Sequence, residues 1–254
     1  MAQKKDDPKH ENHYKQIETI ENDFYKIEFS DAHSQQAFSL VKVRITNKTD
    51  DYLFFEPSEC TFKYDFGTFI PKGKRQIIKP NKSNSKVLKV TGKQNFHVEH
   101  LEIEINGLYL VPVKGELVEI EKFQLPAAKN SVSAGGFELN LIDTKQQTDE
   151  TLAKFKCTFK GTEIGLLDPS KIVITTEKGV WANESRKSKS ILMEKGDSKK
   201  FTAEFRIPGK ILDMQFATMH MDWKDAFQIT KKQKLEASSH QLTIDPGLTH
   251  GKNK

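Results

Sequence analysis

Two loops hold the residues whose types and spacing suit a binding chemistry. In the first, Phe69 follows Gly67 by two positions and precedes Lys72, Lys74 and Arg75; in the second, Trp181 follows Gly179 by two and precedes Arg186, Lys187 and Lys189. An aromatic ring beside Lys or Arg can stack on a sugar or help hold an anionic polymer by charge. The competing reading makes each ring the cap of a β-core and each lysine a solvated loop residue.

Catalysis has less to build on. A hydrolase or transferase needs a nucleophile with its base, a carboxylate pair, a metal cluster or a phosphate loop. The chain contains no GxSxG elbow, no phosphate-binding glycine loop, no paired CxxC and no HExxH. The expectation is therefore a protein that is not an enzyme and uses no metal or cofactor. Met219-His220-Met221 has donors that suit cuprous copper, but strand alternation sends the two methionines to one face and the imidazole to the other. His10 and His13 lie three apart with no third ligand in sequence. His97 and His100 precede a strand and read as loop histidines. Cys60 and Cys157 sit at apolar positions of alternating strands, one in each half of the chain, and read as small buried hydrophobes.

The elements that would position these loops are short strands. Tyr25, Ile27 and Phe29 alternate with Lys26 and Glu28, and Val41, Val43 and Ile45 alternate with Lys42 and Arg44. The stretch Tyr52–Phe69 recurs 112 residues later as Ile164–Trp181, with Glu56-Pro57-Ser58 falling on Asp168-Pro169-Ser170 and Gly67-Thr68-Phe69 on Gly179-Val180-Trp181. Pro57 interrupts a strand and belongs at an edge or crossover. Asn106-Gly107 between apolar runs reads as a hairpin turn. Strands with turn signals every 8 to 12 residues predict an all-β protein: two tandem immunoglobulin-like antiparallel β-sandwich domains related by internal duplication. The expected boundaries are a disordered arm over 1–16, a first domain over 17–125, a linker over 126–136, a second domain over 137–244 and a tail over 245–254. In topology alone this resembles the bacterial pilus chaperones; their cleft Arg and Lys pair has no counterpart in this sequence.

At 254 residues with 36% hydrophobic and 30% charged residues, the chain suits two globular domains. Its apolar runs are too short to span a bilayer. The net charge of +5 comes almost wholly from Lys, with Arg only at positions 44, 75, 186 and 206. Scarcity of the bidentate guanidinium argues against nucleic acid as a partner. The start Met1-Ala2-Gln3 resembles that of a mature exported bacterial protein, so export to the periplasm or cell surface is expected, with a cytoplasmic location as the alternative. The sequons at Asn47, Asn81 and Asn183 need no function. The expected role is a secreted, non-catalytic accessory subunit binding another protein through loops or edge strands; the alternative is a glycan- or anionic-polymer-binding module using the loop aromatics and basic residues.

Overall fold

Alternation of apolar with polar residues builds the longest strands. In the computed structural model, which describes residues 7–185 and 190–253, the chain opens with β1 (Asn12–His13), β2 (Ile20–Glu21), β3 (Tyr25–Gln35) and β4 (Phe38–Asn47). Ile27, Phe29, Val41, Val43 and Ile45 are buried while Lys42 and Arg44 face solvent, the period of two of a half-buried strand. Next come β5 (Tyr52–Phe55) and β6 (Thr61–Tyr64), divided by a single 3-10 turn at Pro57–Glu59. Proline has no N–H to donate, so the ladder stops there and the chain passes into a second sheet. After these, β7 (Gly67–Phe69), β8 (Gln76–Ile78), β9 (Ser83–Thr91), β10 (His100–Ile105) and β11 (Leu108–Val111) follow.

The chain divides after Val111. Unit 2 is Pro112–Lys232, and unit 1 combines the residues through Val111 with those from Gln233 onward. Unit 2 contains β12 (Glu116–Leu117), β13 (Phe123–Leu125), β14 (Ser131–Ala134), β15 (Phe137–Gln146), β16 (Glu150–Phe159) and β17 (Ile164–Leu167). It continues with β18 (Val173–Thr176), β19 (Gly179–Ala182), β20 (Ile191–Met193), β21 (Ser198–Arg206), β22 (Met219–Asp222) and β23 (Phe227–Thr230). The chain then returns to unit 1 as β24 (Gln233–Lys234), β25 (Ser238–Thr243) and the helix α1 (Pro246–Lys252).

Every paired strand is antiparallel to its neighbour. Unit 1 has the sheet orders β1-β3-β4-β9 with β2 also on β3, β25-β10-β6-β7, and β24-β11-β5-β8. Unit 2 has β14-β15-β16-β21, β13-β22-β18-β19 and β12-β23-β17-β20. Apart from β1, which has no counterpart in unit 2, the orders correspond, and registers agree where Ile27 lies between Ile20 and Ile45 as Leu139 lies between Val132 and Cys157. Each unit closes over its own core. Phe55, Phe62, Phe96 and Ile103 fill the first, and Phe123, Phe155, Phe205, Trp223 and Phe227 the second. A fully buried side chain of this size contributes roughly 1.5–3 kcal/mol. Trp223 keeps its one polar group satisfied by donating from Nε1 to the Glu121 carbonyl at 2.9 Å.

Several expected boundaries give way to this arrangement. Residues 112–125 do not finish the first unit: β12 and β13 pair with β23 and β22 and bury Val118, Phe123 and Leu125 in unit 2. Residues 233–244 lie correspondingly in unit 1, where β24 and β25 pair with β11 and β10 and bury Leu242. The stretch expected as a linker over 126–136 carries β14, and Gly135 and Gly136, both at positive φ, form its two-residue turn into β15. Of the expected disordered arm over 1–16, Asn12, His13 and Tyr14 are buried. The expected tail over 245–254 holds α1, whose Thr249 Oγ1 accepts from the His13 amide at 2.9 Å. Asn106-Gly107 is not a hairpin turn. β10 and β11 pair with different strands on either side of it, so it carries one strand path from sheet to sheet, as Pro57 does beside it. Phe216, in the loop before β22, is 79% exposed.

Candidate functional site

One feature open to a partner is the outer side of β9. Its residues pair with β4 from Thr91 opposite Phe38 to Ser83 opposite Thr46, and β9 ends the sheet order. Among the described residues, no backbone group of β9 bonds to any other strand; the Ser85 amide turns instead to the Asn84 side chain at 2.9 Å. The corresponding strand of unit 2, β21, also ends its sheet but is tied at one residue. There the Glu184 amide donates to the Glu204 carbonyl at 2.8 Å and the Glu204 amide donates to Asn183 Oδ1 at 2.9 Å. A nine-residue edge with no strand paired on its outer side is a template for another strand.

Charge surrounds this edge. Between Asp65 and Glu99 the 33 residues include seven Lys and one Arg and no acid. Arg75 is committed to an ion pair with Glu56 and stacks over the Phe54 ring at 5.0 Å. Lys89 extends over the Phe38 ring at 3.8 Å on the outer face, beside exposed Lys42 and Arg44 on β4. Lys86 lies on the other face. Its stem is so close to Gly73 that a Cβ there would come within 3.0 Å of Cε, which brings the loop residues Lys72 and Lys74 to the same strand. Among the described residues, none of these lysines has a carboxylate partner.

The expected loop candidates divide accordingly. Lys72 and Lys74 are exposed and join the β9 cluster. Arg75 is occupied. Phe69 is no free stacking face: it pairs across from Phe62 and packs edge-on against Phe96 at 5.0 Å and Tyr64 at 5.6 Å. Trp181 lies across from Ile174 and against the core of unit 2, with its indole Nε1 buried and unpartnered among the described residues. Arg186, Lys187 and Lys189 lie outside the described residues. β9 itself carries the alternation that marks any strand, and nothing in its sequence distinguishes an end strand from a central one; only the pairing does.

Histidines mark a second feature. A cavity of about 430 Å³ in unit 1 is lined by His13, Lys15, Asp31, Asp245 and Lys252 among others. Burial pushes the His13 pKa down, against the pull of Glu11, whose Oε2 stands 3.0 Å from Nε2. Burial acts to raise the Glu11 carboxyl, and the Gln35 hydrogen bond with the two nearby imidazoles outweighs it, leaving that pKa lowered. His10 Nδ1 meets His97 Nε2 at 2.8 Å, a pair formed across 87 residues that spacing alone does not suggest. Among the described residues no three His, Cys, Asp or Glu side chains converge as a metal-ligand set. Cys60 and Cys157 are buried free thiols whose pKa burial pushes up to about 12, so neither is a ready nucleophile. Met219 and Met221 are buried with His220 exposed between them.

No protein-family model matches the chain, and no curated protein matches it. Among solved structures it is similar to a conserved domain protein from Bacillus anthracis, at 8% identity over 91% of this chain and 92% of that one, with a TM-score of 0.21. A likeness of that size carries no argument about fold or role.

Proposed function

We propose that this chain is a non-catalytic interaction protein of the extracytoplasmic space, built from two immunoglobulin-like sandwich domains related by internal duplication, and that it binds another protein by accepting a strand on an open sheet edge. The observation that carries the reading is β9, whose backbone among the described residues pairs with no strand but β4, while its counterpart β21 is tied at Glu204. Strand addition is also how unit 1 is completed, since β24 and β25 reach it only after the whole of unit 2 has intervened. Main-chain pairing supplies affinity in such complexes and alternate side chains supply selectivity.

The duplication is supported by matched sheet orders and by shared detail. Thr46 and Ser83 hydroxyls meet at 2.8 Å in unit 1, and Thr158 and Ser198 hydroxyls meet at 2.8 Å at the corresponding positions of unit 2. Placement outside the cytoplasm rests on fold analogy, tandem sandwiches being common there. An anionic polymer on the same lysines is the second reading. The unpaired charge favours it, and the packing of Phe69 into the core takes away the stacking ring it was to use.

Amide hydrogen exchange on the full chain, with and without a partner captured from the source cells, tests the edge reading. The expected result is slowed exchange across Ser83–Thr91. A stoichiometric partner that leaves those amides unchanged would refute it.

A further inference from the structure

We infer that the segment added to β9 is an acidic one: an extended partner strand carrying Glu or Asp on both of its faces. The inference rests on the edge reading above and names the chemistry of what that edge takes. Lys89, with Lys42 and Arg44, lies on the outer face of the β9 sheet, and Lys86, with Lys72 and Lys74, flanks the other. A strand laid along β9 would therefore meet positive charge whichever way its alternate side chains pointed.

Edge lysines also serve to keep like edges apart, and the two roles separate by number. One inward or edge charge is enough to discourage pairing, whereas β9 carries Lys86 and Lys89 on opposite faces, with Lys42 and Arg44 beside one and the loop at Lys72 and Lys74 beside the other. Among the described residues none of Lys42, Lys72, Lys74, Lys86 and Lys89 has a carboxylate partner, and the nearest acid across the sheet is Glu28, opposite Arg44. A second copy of this chain would bring the same basic edge and be repelled, while an acidic strand satisfies both the backbone and the charge. Selectivity then comes from repulsion of the wrong partner as much as attraction of the right one.

The test uses the full chain and three probes: a nine-residue peptide alternating Val with Glu and Asp on both faces, the same peptide with Gln and Asn in place of the acids, and heparin. Binding is read by anisotropy at low and moderate salt, and backbone engagement by amide exchange. The acidic peptide is expected to bind, to slow exchange across Ser83–Thr91, and to weaken as salt rises. In the Lys86→Glu/Lys89→Glu variant its affinity should fall about tenfold or more. Lys72→Gln/Lys74→Gln, which alters loop positions alone, should weaken it less and guards against a misfolded first variant. Equal binding of the neutral peptide with the same protection would overturn the acidic inference and leave the edge reading standing. Heparin binding as tightly, with β9 exchange unchanged, would overturn both in favour of the polymer. Failure of the acidic peptide to bind at low salt would overturn the inference outright.

Discussion

Asn47 is a polar side chain that unit 1 has folded around. Its Nδ2 donates to the carbonyls of Asp51 at 2.7 Å and of Ile78 and Lys79 at 3.2 Å, and its Oδ1 accepts from the Thr49 amide at 3.0 Å. With 1% exposure, it cannot be replaced by water. Asn47→Ala should lower stability by roughly 1–3 kcal/mol, the cost of stranding buried carbonyls, measured by denaturant unfolding. The same bonds remove Asn47 from use as a glycan acceptor despite its sequon. His13 and His240 make unit 1 sensitive to acid. Burial lowers the pKa of both, against opposing pulls from Glu11 and Glu18. The unfolded chain therefore takes up protons first as pH falls through the ordinary imidazole value of about 6.5. Stability should fall from there downward and level off below the folded values; carboxylates such as Glu11 and Asp222, held low, add their losses only at more acid pH. Thermal melts at pH 7.5 and 5.5 check this, and His240→Phe, which keeps the contact with Phe29, should reduce the difference. At this scale the sequence was informative where alternation decides: Cys60, Cys157, Met219 and Met221 are all inside. The burial of Asn47 was illegible because two of its acceptors, Ile78 and Lys79, lie 31 and 32 residues away.

At the scale of elements, two glycine turns exchange the roles that sequence suggests for them. Gly135-Gly136 has the look of a linker end and makes a hairpin, while Asn106-Gly107 has the strongest hairpin spelling and makes a bend between sheets. Local chemistry specifies positive φ in both cases. Which strands then pair is decided by burial, since Ile105 and Leu108 each have a core side to fill in different sheets. Gly107 sits at φ +79°, and a Cβ would stand 2.6 Å from the Glu56 carbonyl oxygen. Gly107→Ala should thus cost more than the roughly 1–2 kcal/mol of a left-handed backbone alone. Gly196→Ala, at φ +90° with nothing within 4 Å, should cost only that amount. Comparing the two melting points separates the clash from the dihedral. The Pro57 corner was legible as a crossover because a missing N–H is a local fact. The open side of β9 was not, because being an edge depends on what is absent beside it.

For the molecule as a whole, the repeat in sequence and the units in space have different boundaries. The two similar stretches at Tyr52–Phe69 and Ile164–Trp181 fall at strands in corresponding places of the two sheet orders, so which strands would correspond was legible from periodicity and spacing. The exchange of 112–125 and 233–244 could not, since a strand's own residues do not say which open sheet it will join. Removing Gln233–Lys254 takes β24, β25 and α1 from unit 1 and nothing from unit 2. Amide exchange in that truncated chain should quicken across β10 and β11 and stay slow across β16 and β22; uniform quickening would count against independent units. Synthesis from the amino terminus gives this arrangement a temporal meaning. The later-encoded half has all its strands once Lys232 is made, whereas the earlier half waits, two strands short, for the final residues to emerge. On the ribosome the order of maturation should therefore run opposite to the order of translation.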